Sequence, residues 1–110
     1  MAGFEKIMSY QIEFIPEAAD DYKSLDGSVK KKVDKKLAEL SENPYIGDYL
    51  GNKFNINLTG FYKVYVDNKK IRIVYRMLSA GIEIVEVWGV GKRDKEEIYR
   101  LIGHRLKKKL

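Results

Sequence analysis

The sequence contains no cysteine, and this absence excludes both disulfide bonds and metal sites built on thiolates. The reducing cytoplasm is therefore the expected compartment. No run approaches the roughly 20 apolar residues of a membrane span. Residues 1–8 also lack the charged and apolar parts of a secretion signal, so we expect no membrane segment.

Histidine is nearly absent as well. His104 stands alone, which excludes an acid–base ribonuclease mechanism built on two histidines, and its basic surroundings predict a surface position. The carboxylates are scattered, and Glu83 and Glu86 fall on opposite faces of one predicted strand, so they cannot form a paired-carboxylate site. No G-x-x-x-x-G-K-[ST] loop exists to cradle a nucleotide. We therefore expect neither a metal nor a cofactor.

Positive charge is what the sequence has in excess. The formal net charge is +5, and most of the excess lies in the second half of the chain. Nucleic acid would answer to this charge, and so would an acidic membrane or an acidic protein partner. The cations concerned are Lys63, Lys69, Lys70, Arg72, Arg76, Lys92, Arg93, Lys95, Arg100, Arg105 and residues 107–109.

Three strand-forming runs between residues 61 and 90 predict an antiparallel meander. They read F-Y-K-V-Y-V, I-R-I-V-Y-R-M-L and I-E-I-V-E-V-W-G-V, and D-N-K-K and S-A-G separate them. Alternation places Lys63 and Tyr65 on one face of the first strand, and Arg72 and Arg76 on one face of the second. Such cations in strands suited to burial indicate a functional surface. Each could also be an edge charge that discourages sheet aggregation.

The first half of the chain predicts a strand followed by two helices. Residues 10–15 alternate as a strand, and Pro16 is placed for a first helical turn. Gly27 is expected to end that helix, and Ser28 to cap a second helix that Asn43-Pro44 stops. The lysines of the second helix are either a solvated face with helical charge pairs or a basic grip for an acidic partner.

Residues 45–60 leave two interpretations open, a short strand around 54–58 or a longer loop. Residues 94–110 have the apolar spacing of a helix. The predicted fold is α+β, with a helical hairpin and a C-terminal helix packed on a twisted, mainly antiparallel four-stranded sheet. We expect residues 1–9 to be a flexible extension and residues 10–110 a single domain.

Three segments in fixed order resemble the core of a known family. L-T-G-F-Y-K-V-Y-V, I-R-I-V-Y-R and V-G-K-R-D-K-E-E-I-Y are similar to segments of the RelE/ParE superfamily of toxin–antitoxin toxins, and specifically of its RelE-type branch. The similarity extends from about Tyr10 to the C-terminus. It implies an endoribonuclease that cleaves messenger RNA in the ribosomal A site. It further implies a cognate antitoxin as a partner.

The resemblance assigns roles to individual residues. Lys63 matches a lysine on the proton-transfer side of cleavage, and Arg72 matches the arginine assigned to transition-state charge. Arg93 matches the arginine that assists the leaving group or holds the phosphate. Tyr99 matches the tyrosine that positions the nucleotide, although its spacing also suits a core aromatic. The chain departs from the best-known members at Tyr65, where they carry a second lysine.

A cationic and phenolic set suits metal-free cleavage of RNA by its own 2′-hydroxyl. The phosphorane gathers negative charge, and guanidinium groups can grip two of its oxygens. Lys63 could take the 2′-hydroxyl proton if neighbouring cations lower its pKa. Arg76 or Lys92 could compensate for the missing second lysine. The expected RNA-binding residues are Tyr65, Arg76, Lys92 and Lys95.

The antitoxin and the alternative functions complete the predictions. The last helix would offer the antitoxin a basic, apolar surface, which an acidic amphipathic segment would fit. That predicted surface consists of Ile98, Leu101, Ile102 and Arg105. Two alternatives remain, a ParE-like inhibitor of DNA gyrase and a non-catalytic member that binds RNA or a partner protein.

Overall fold

The computed structural model describes residues 9–92 and 97–109, which form helices against one sheet. No helix in those two stretches is long and apolar enough to cross a membrane. The predicted extension, residues 1–9, lies outside the described residues except for Ser9. In chain order the elements are β1 (Gln11–Phe14), α1 (Pro16–Lys23), α2 (Gly27–Glu42), a 3-10 turn (Pro44–Ile46), β2 (Asp48–Lys53), β3 (Ile56–Val66), β4 (Ile71–Ser79), β5 (Glu83–Lys92) and α3 (Glu97–Lys108).

The predicted α+β class is confirmed, but the sheet has five strands instead of four. The strand order is β1-β5-β4-β3-β2, in which β1 runs parallel to β5 and all other neighbours are antiparallel. The added strand is β2, in the part of the chain that the sequence left undecided. Phe54 and Asn55 join it to β3, and both have positive φ, 51° and 63°. A two-residue hairpin turn requires this conformation, which phenylalanine rarely adopts, so the sequence signal for the hairpin is weak.

The predicted boundary between the two helices is wrong by about one helical turn. α1 ends at Lys23, and Gly27 is the first residue of α2 instead of the end of α1. Asp26 takes the N-cap position with an extended backbone, and the hydroxyl of Ser28 donates to its carboxylate at 2.7 Å. The Asp26 carboxylate accepts from this hydroxyl and makes no capping bond to the helix backbone, so Ser28 lies inside the helix instead of capping it. Asn43-Pro44 follows the end of α2, as predicted.

One face of the sheet, the core face, lies under α1 and α2. From α2, Val33, Leu37 and Leu40 are buried, as the helical spacing predicts. From β4, Ile73 and Tyr75 alternate onto this face and have no exposed surface. The contacts are almost entirely apolar and aromatic, so this face supplies most of the hydrophobic burial that stabilises the fold.

The opposite face, the cation face, lies under α3. Two glycines let the helix approach β5 closely, because a Cβ on Gly89 would lie 2.6 Å from the Ile102 side chain. A Cβ on Gly91 would lie 3.1 Å from Ile98. Ile98 and Ile102 are therefore buried against the strand instead of facing solvent.

A buried ion pair fixes the far end of α3. The two terminal nitrogens of Arg105 donate to the two carboxylate oxygens of Asp21 in α1, at 2.8 and 3.0 Å. Arg105 also donates to the carbonyl of Trp88 at 2.8 Å, and Asp21 accepts from the backbone N–H of Val90 at 3.1 Å. One bidentate contact thus joins α1, α3 and β5.

Candidate active site

Strands β3 and β4 place three of the predicted site residues side by side. Tyr65 pairs with Arg72 across the two strands, and Lys63 lies two residues before Tyr65 on the same face. The Lys63 ammonium lies 2.9 Å from the Tyr65 hydroxyl and 3.4 Å from a carboxylate oxygen of Asp48. It also lies 4.2 Å from the centre of the Tyr65 ring. Lys63 and Tyr65 therefore share a face, as alternation predicts.

Arg72 lies between two phenol rings. Its guanidinium carbon is 5.4 Å from the centre of the Tyr65 ring and 4.8 Å from the centre of the Tyr99 ring. Arg72 is only 4% exposed, and Tyr99 is 5% exposed. Ring faces attract a cation at these distances, so the two tyrosines fix the guanidinium against the sheet. α3 brings Tyr99 to Arg72 from outside the sheet.

Phe54 covers Tyr99 from the other side. The two rings are stacked with centres 6.0 Å apart and planes 29° apart, and Phe54 itself is half exposed. Sequence reasoning missed Phe54 because its contact depends on the β2–β3 hairpin reaching α3. The only available signal was alternation of Ile56 and Leu58 after the F-N pair, and it is weak without a glycine in the turn.

The pKa of Lys63 contradicts one expectation. Burial by itself would lower this pKa, but the hydrogen bond to Tyr65, the electrostatic effect of the Tyr65 and Tyr99 phenol groups, and the bond to Asp48 outweigh burial and raise it above the ordinary lysine value. The prediction that neighbouring cations lower the pKa of Lys63 is therefore wrong for this structure. The residue two positions on is a phenol that accepts from the ammonium, where a lysine would repel it.

Tyr99 also keeps its proton at neutral pH. Burial raises the pKa of its hydroxyl, and the nearby charges of Arg72 and Lys63 only partly oppose that effect. Lys63, Arg72 and Tyr99 are thus donors at neutral pH, which suits an anionic ligand such as a phosphate. Asp48 is the carboxylate at the edge of this group, and its side chain is 73% exposed. In residues 9–92 and 97–109, no three His, Cys, Asp or Glu side chains converge as metal ligands.

The remaining predicted site residues are divided. Arg93 and Lys95 lie outside the described residues. Lys92 is exposed at the end of β5, opposite Ile71 and so beside the strand position of Arg72. Arg76 lies apart from the Arg72 group, in a cluster of its own on the same face of β4.

That second cluster is well ordered. The Arg76 guanidinium lies 4.9 Å from the Trp88 ring centre and 5.5 Å from the Phe61 ring centre. The Nε of Arg76 and the indole nitrogen of Trp88 both donate to the same Glu86 carboxylate oxygen, at 2.8 and 2.7 Å. Trp88 and Phe61 pack in the sheet, and both are buried.

The prediction of an antitoxin-binding surface on α3 is wrong, because three of its four residues are buried. Ile98, Ile102 and Arg105 are all at least nine-tenths buried, and only Leu101 is exposed. The apolar stripe of α3 covers β5, and Arg105 turns inward to Asp21 instead of facing solvent. A partner could reach these three residues only if α3 moved away from the sheet. His104 is exposed, as predicted.

Comparison with known proteins gives matches that agree with one another. The sequence profile of the family described as ParE toxin of type II toxin-antitoxin system, parDE, matches residues 12–97. The mRNA interferase toxin RelE of Escherichia coli K12 is 30% identical over 92 residues, which are 84% of this chain and 92% of that protein.

Solved structures agree with these sequence matches. The free-state structure of an E. coli RelE toxin mutant superimposes with a TM-score of 0.71 at 27% identity, covering 89% of this chain and 98% of that one. A chain of the intact E. coli RelBE toxin–antitoxin complex superimposes with a TM-score of 0.62 at 28% identity, covering 79% of this chain and all of that one.

Proposed function

The chain belongs to the RelE/ParE superfamily of type II toxin–antitoxin toxins, and on that premise we propose that it is a metal-independent endoribonuclease. Its substrate is messenger RNA in the A site of the ribosome, and the cytoplasm is the compartment where it acts. A relative at 30% identity is named an mRNA interferase, which supports this reading. The observation that carries the proposal is the Arg72 guanidinium held between two phenols beside the Lys63 ammonium.

In the proposed reaction the 2′-oxygen of one nucleotide attacks the adjacent phosphorus. A bond forms from that oxygen to phosphorus, and the bond from phosphorus to the 5′-oxygen of the next nucleotide breaks. Arg72 stabilises the negative charge of the phosphorane, and Arg93 stabilises the phosphate or the leaving oxygen. Tyr99 positions the nucleotide against the guanidinium of Arg72.

Two protons must move for the reaction to balance. The 2′-hydroxyl loses one proton to a base, and the departing 5′-oxygen gains one. Because its raised pKa keeps Lys63 protonated at neutral pH, we assign it the ammonium role of neutralising charge and supplying a proton. Water or the neighbouring Asp48 carboxylate then receives the proton from the 2′-hydroxyl. The RNA on either side of the cleaved bond is bound by Tyr65, Arg76, Lys92 and Lys95.

A cognate antitoxin is the proposed protein partner. A related toxin has been solved with its antitoxin as the intact RelBE complex. We expect a small open reading frame beside this gene to encode an acidic amphipathic segment that neutralises the toxin. Co-expression of both neighbouring frames, each tested alone as well, should restore growth with one of them. Growth inhibition that neither frame relieves would contradict the partner assignment.

Inhibition of DNA gyrase is the second candidate, because the matching family profile is that of ParE toxins. Inducing the chain in cells while mapping transcript ends and plasmid supercoiling separates the two functions. We expect new transcript ends within minutes and unchanged supercoiling, whereas relaxed plasmids with intact transcripts would favour gyrase. A binder without catalytic activity would change neither.

Metal independence is tested with purified protein, where cleavage should persist in excess chelator wherever the ribosome remains intact.

A further inference from the structure

A second basic cavity lies between α3 and the β2–β3 hairpin. Its volume is about 590 Å³, and no acidic residue of the described stretches lines it. The residues that matter for its chemistry are Asn57, Phe61, Arg76, Arg100, His104 and Lys107.

The cavity combines an aromatic floor with a cationic rim. Phe61 meets Trp88 edge to face with ring centres 5.4 Å apart, and the Arg76 guanidinium lies over both rings. From α3, Arg100 and Lys107 lie one above the other, because residues seven apart share a helix face. Phe61 and Trp88 are each only 2% exposed beneath Arg76, so the flat group that a base can meet here is the Arg76 guanidinium. The cations of the rim match the phosphate of the same nucleotide.

The polar wall of the cavity also supplies donors. The side-chain oxygen of Asn57 already accepts from the backbone N–H and the hydroxyl of Thr59, at 3.1 and 2.6 Å. Its NH₂ group is then the part oriented to donate to a ligand. Acceptor atoms on a base edge or on a phosphate would complement such a wall.

The cavity is next to the cleavage residues along both elements that carry them. Phe61 lies two residues before Lys63 on the same face of β3, a distance of about 7 Å, and Arg100 directly follows Tyr99 in α3. An RNA strand whose reacting phosphate lies at Lys63 and Arg72 therefore has a neighbouring nucleotide within reach of the cavity.

We propose that this cavity is a second nucleotide subsite, which binds the base and phosphate of a nucleotide flanking the cleaved bond in single-stranded RNA. The proposal rests on the proposed ribonuclease function and adds a site to it. An acidic protein segment would also be attracted by the cations. RNA is favoured because the planar Arg76 guanidinium, held on two buried rings, can stack on a base, and because the cavity adjoins the proposed cleavage residues.

Trp88 provides a direct reporter, because it is the single tryptophan of the chain and contacts the floor. The probe is a 2′-O-methyl RNA hexamer, which lacks the attacking hydroxyl and cannot be cleaved. Its addition to the full chain should change Trp88 fluorescence with saturation. Arg100→Ala with Lys107→Ala should weaken this binding by about tenfold or more, the usual effect of losing charge-assisted contacts. The dependence of log affinity on log salt should flatten by about 1.4, or 0.7 for each lost phosphate contact.

The matched control is Lys23→Ala with Lys31→Ala, which removes two exposed helix lysines elsewhere. It should bind the hexamer within about twofold of the unmodified chain, since neither lysine lines the cavity. Equal weakening in the two double variants would overturn the proposal, because it would mean unspecific attraction. Absence of a saturable Trp88 change would also overturn it, as would an acidic peptide that saturates the Trp88 response and that the hexamer fails to displace.

Failure of the proposed function would look different. Arg72→Ala, assayed with the same hexamer, should keep the Trp88 response if the cavity binds RNA. A chain that binds the hexamer normally but cleaves no messenger RNA would refute the ribonuclease assignment and leave the subsite standing.

Discussion

The two faces of the sheet use the same strands for different purposes. On the core face, Ile73 and Tyr75 are fully buried against the helical hairpin. On the cation face, Arg72 is almost as buried, yet it lies between phenol rings and beside Lys63. Alternate residues of one strand therefore contribute to the apolar core and to the cationic candidate site separately. A substitution on one face should change one property and largely spare the other.

The helices of the two faces are also attached differently. α2 is held by apolar contacts through Val33, Leu37 and Leu40. α3 packs Ile98 and Ile102 on β5, but its far end depends on the ion pair of Arg105 with Asp21. Because α3 carries Tyr99 to Arg72, this ion pair supports the site from a distance.

Asp21→Ala should have the largest effect, because it removes the ion pair through which α1 holds the far end of α3. It leaves the buried Arg105 without its carboxylate, a change that typically costs about 3–5 kcal/mol. We expect a lower free energy of unfolding in urea, with amide exchange accelerated in α3 before α2. Glu17→Ala is the control, because it also removes a carboxylate of α1 that contacts the end of α3, but its partners Lys108 and Lys109 are more exposed than Arg105. Uniform acceleration of both helices would contradict a separate role for the ion pair.

Leu40→Ala should cause the next largest loss of stability, and it acts on the core face alone. Truncating a fully buried leucine typically costs about 2–5 kcal/mol through lost burial and the cavity left behind. Cleavage measured per folded molecule, well below the unfolding temperature, should stay unchanged. A fall in that rate would mean that the two faces are not separable.

Tyr65→Lys changes the charge beside Lys63 and leaves the core face untouched. The change replaces the phenol that accepts from Lys63 with a like charge, so the pKa of Lys63 should fall and the phosphorane should gain a cation. We expect cleavage at pH 7 to rise by up to about tenfold, because a second cation would stabilise the phosphorane by up to about 1.4 kcal/mol more. Tyr65→Phe separates the two causes, since it removes the hydroxyl without adding charge. A pH–rate profile identical to that of the unmodified chain would contradict this role of Tyr65.

Tyr75→Phe should have the smallest effect, and it depends on pH. The Tyr75 hydroxyl donates to the Pro44 carbonyl at 2.7 Å, and burial raises its pKa to about 12. Its stabilising contribution, about 1 kcal/mol for one hydrogen bond, is complete below the unfolded value near 10 and is lost as pH rises toward 12. The stability difference between the two proteins should therefore stay constant from pH 8 to about pH 10 and shrink between about pH 10 and pH 11.5 in urea titrations. A constant difference would show that the hydroxyl does not titrate in this range.

The sequence predicted what repeats along the chain and missed what depends on contacts between distant segments. Alternation with period two placed Lys63 and Tyr65 together, and helical spacing identified the buried stripe of α2. The approach of Tyr99 to Arg72 followed only from family resemblance. Asp21 with Arg105 could not be predicted, because 84 residues separate them and either could equally face solvent.

The departure at Tyr65 shows the same limit at the site. The family resemblance showed that a second lysine is missing there, and the proposal that Lys63 takes a proton depended on neighbouring cations lowering its pKa. Only the geometry showed that the phenol accepts from Lys63 and reverses the direction of the shift.

The proposed function requires that the cation face stabilise charge in the transition state. Single-turnover cleavage of a programmed ribosome, measured alongside ribosome binding for Arg72→Ala and for Arg93→Ala, tests it most directly. We predict that each variant loses about 10²-fold or more in cleavage rate, the loss typical of one electrostatic donor, and far less in affinity. Arg93→Lys should recover only part of the rate, because an ammonium lacks the planar fork. Equal losses of rate and affinity, or cleavage close to that of the unmodified chain, would contradict the account.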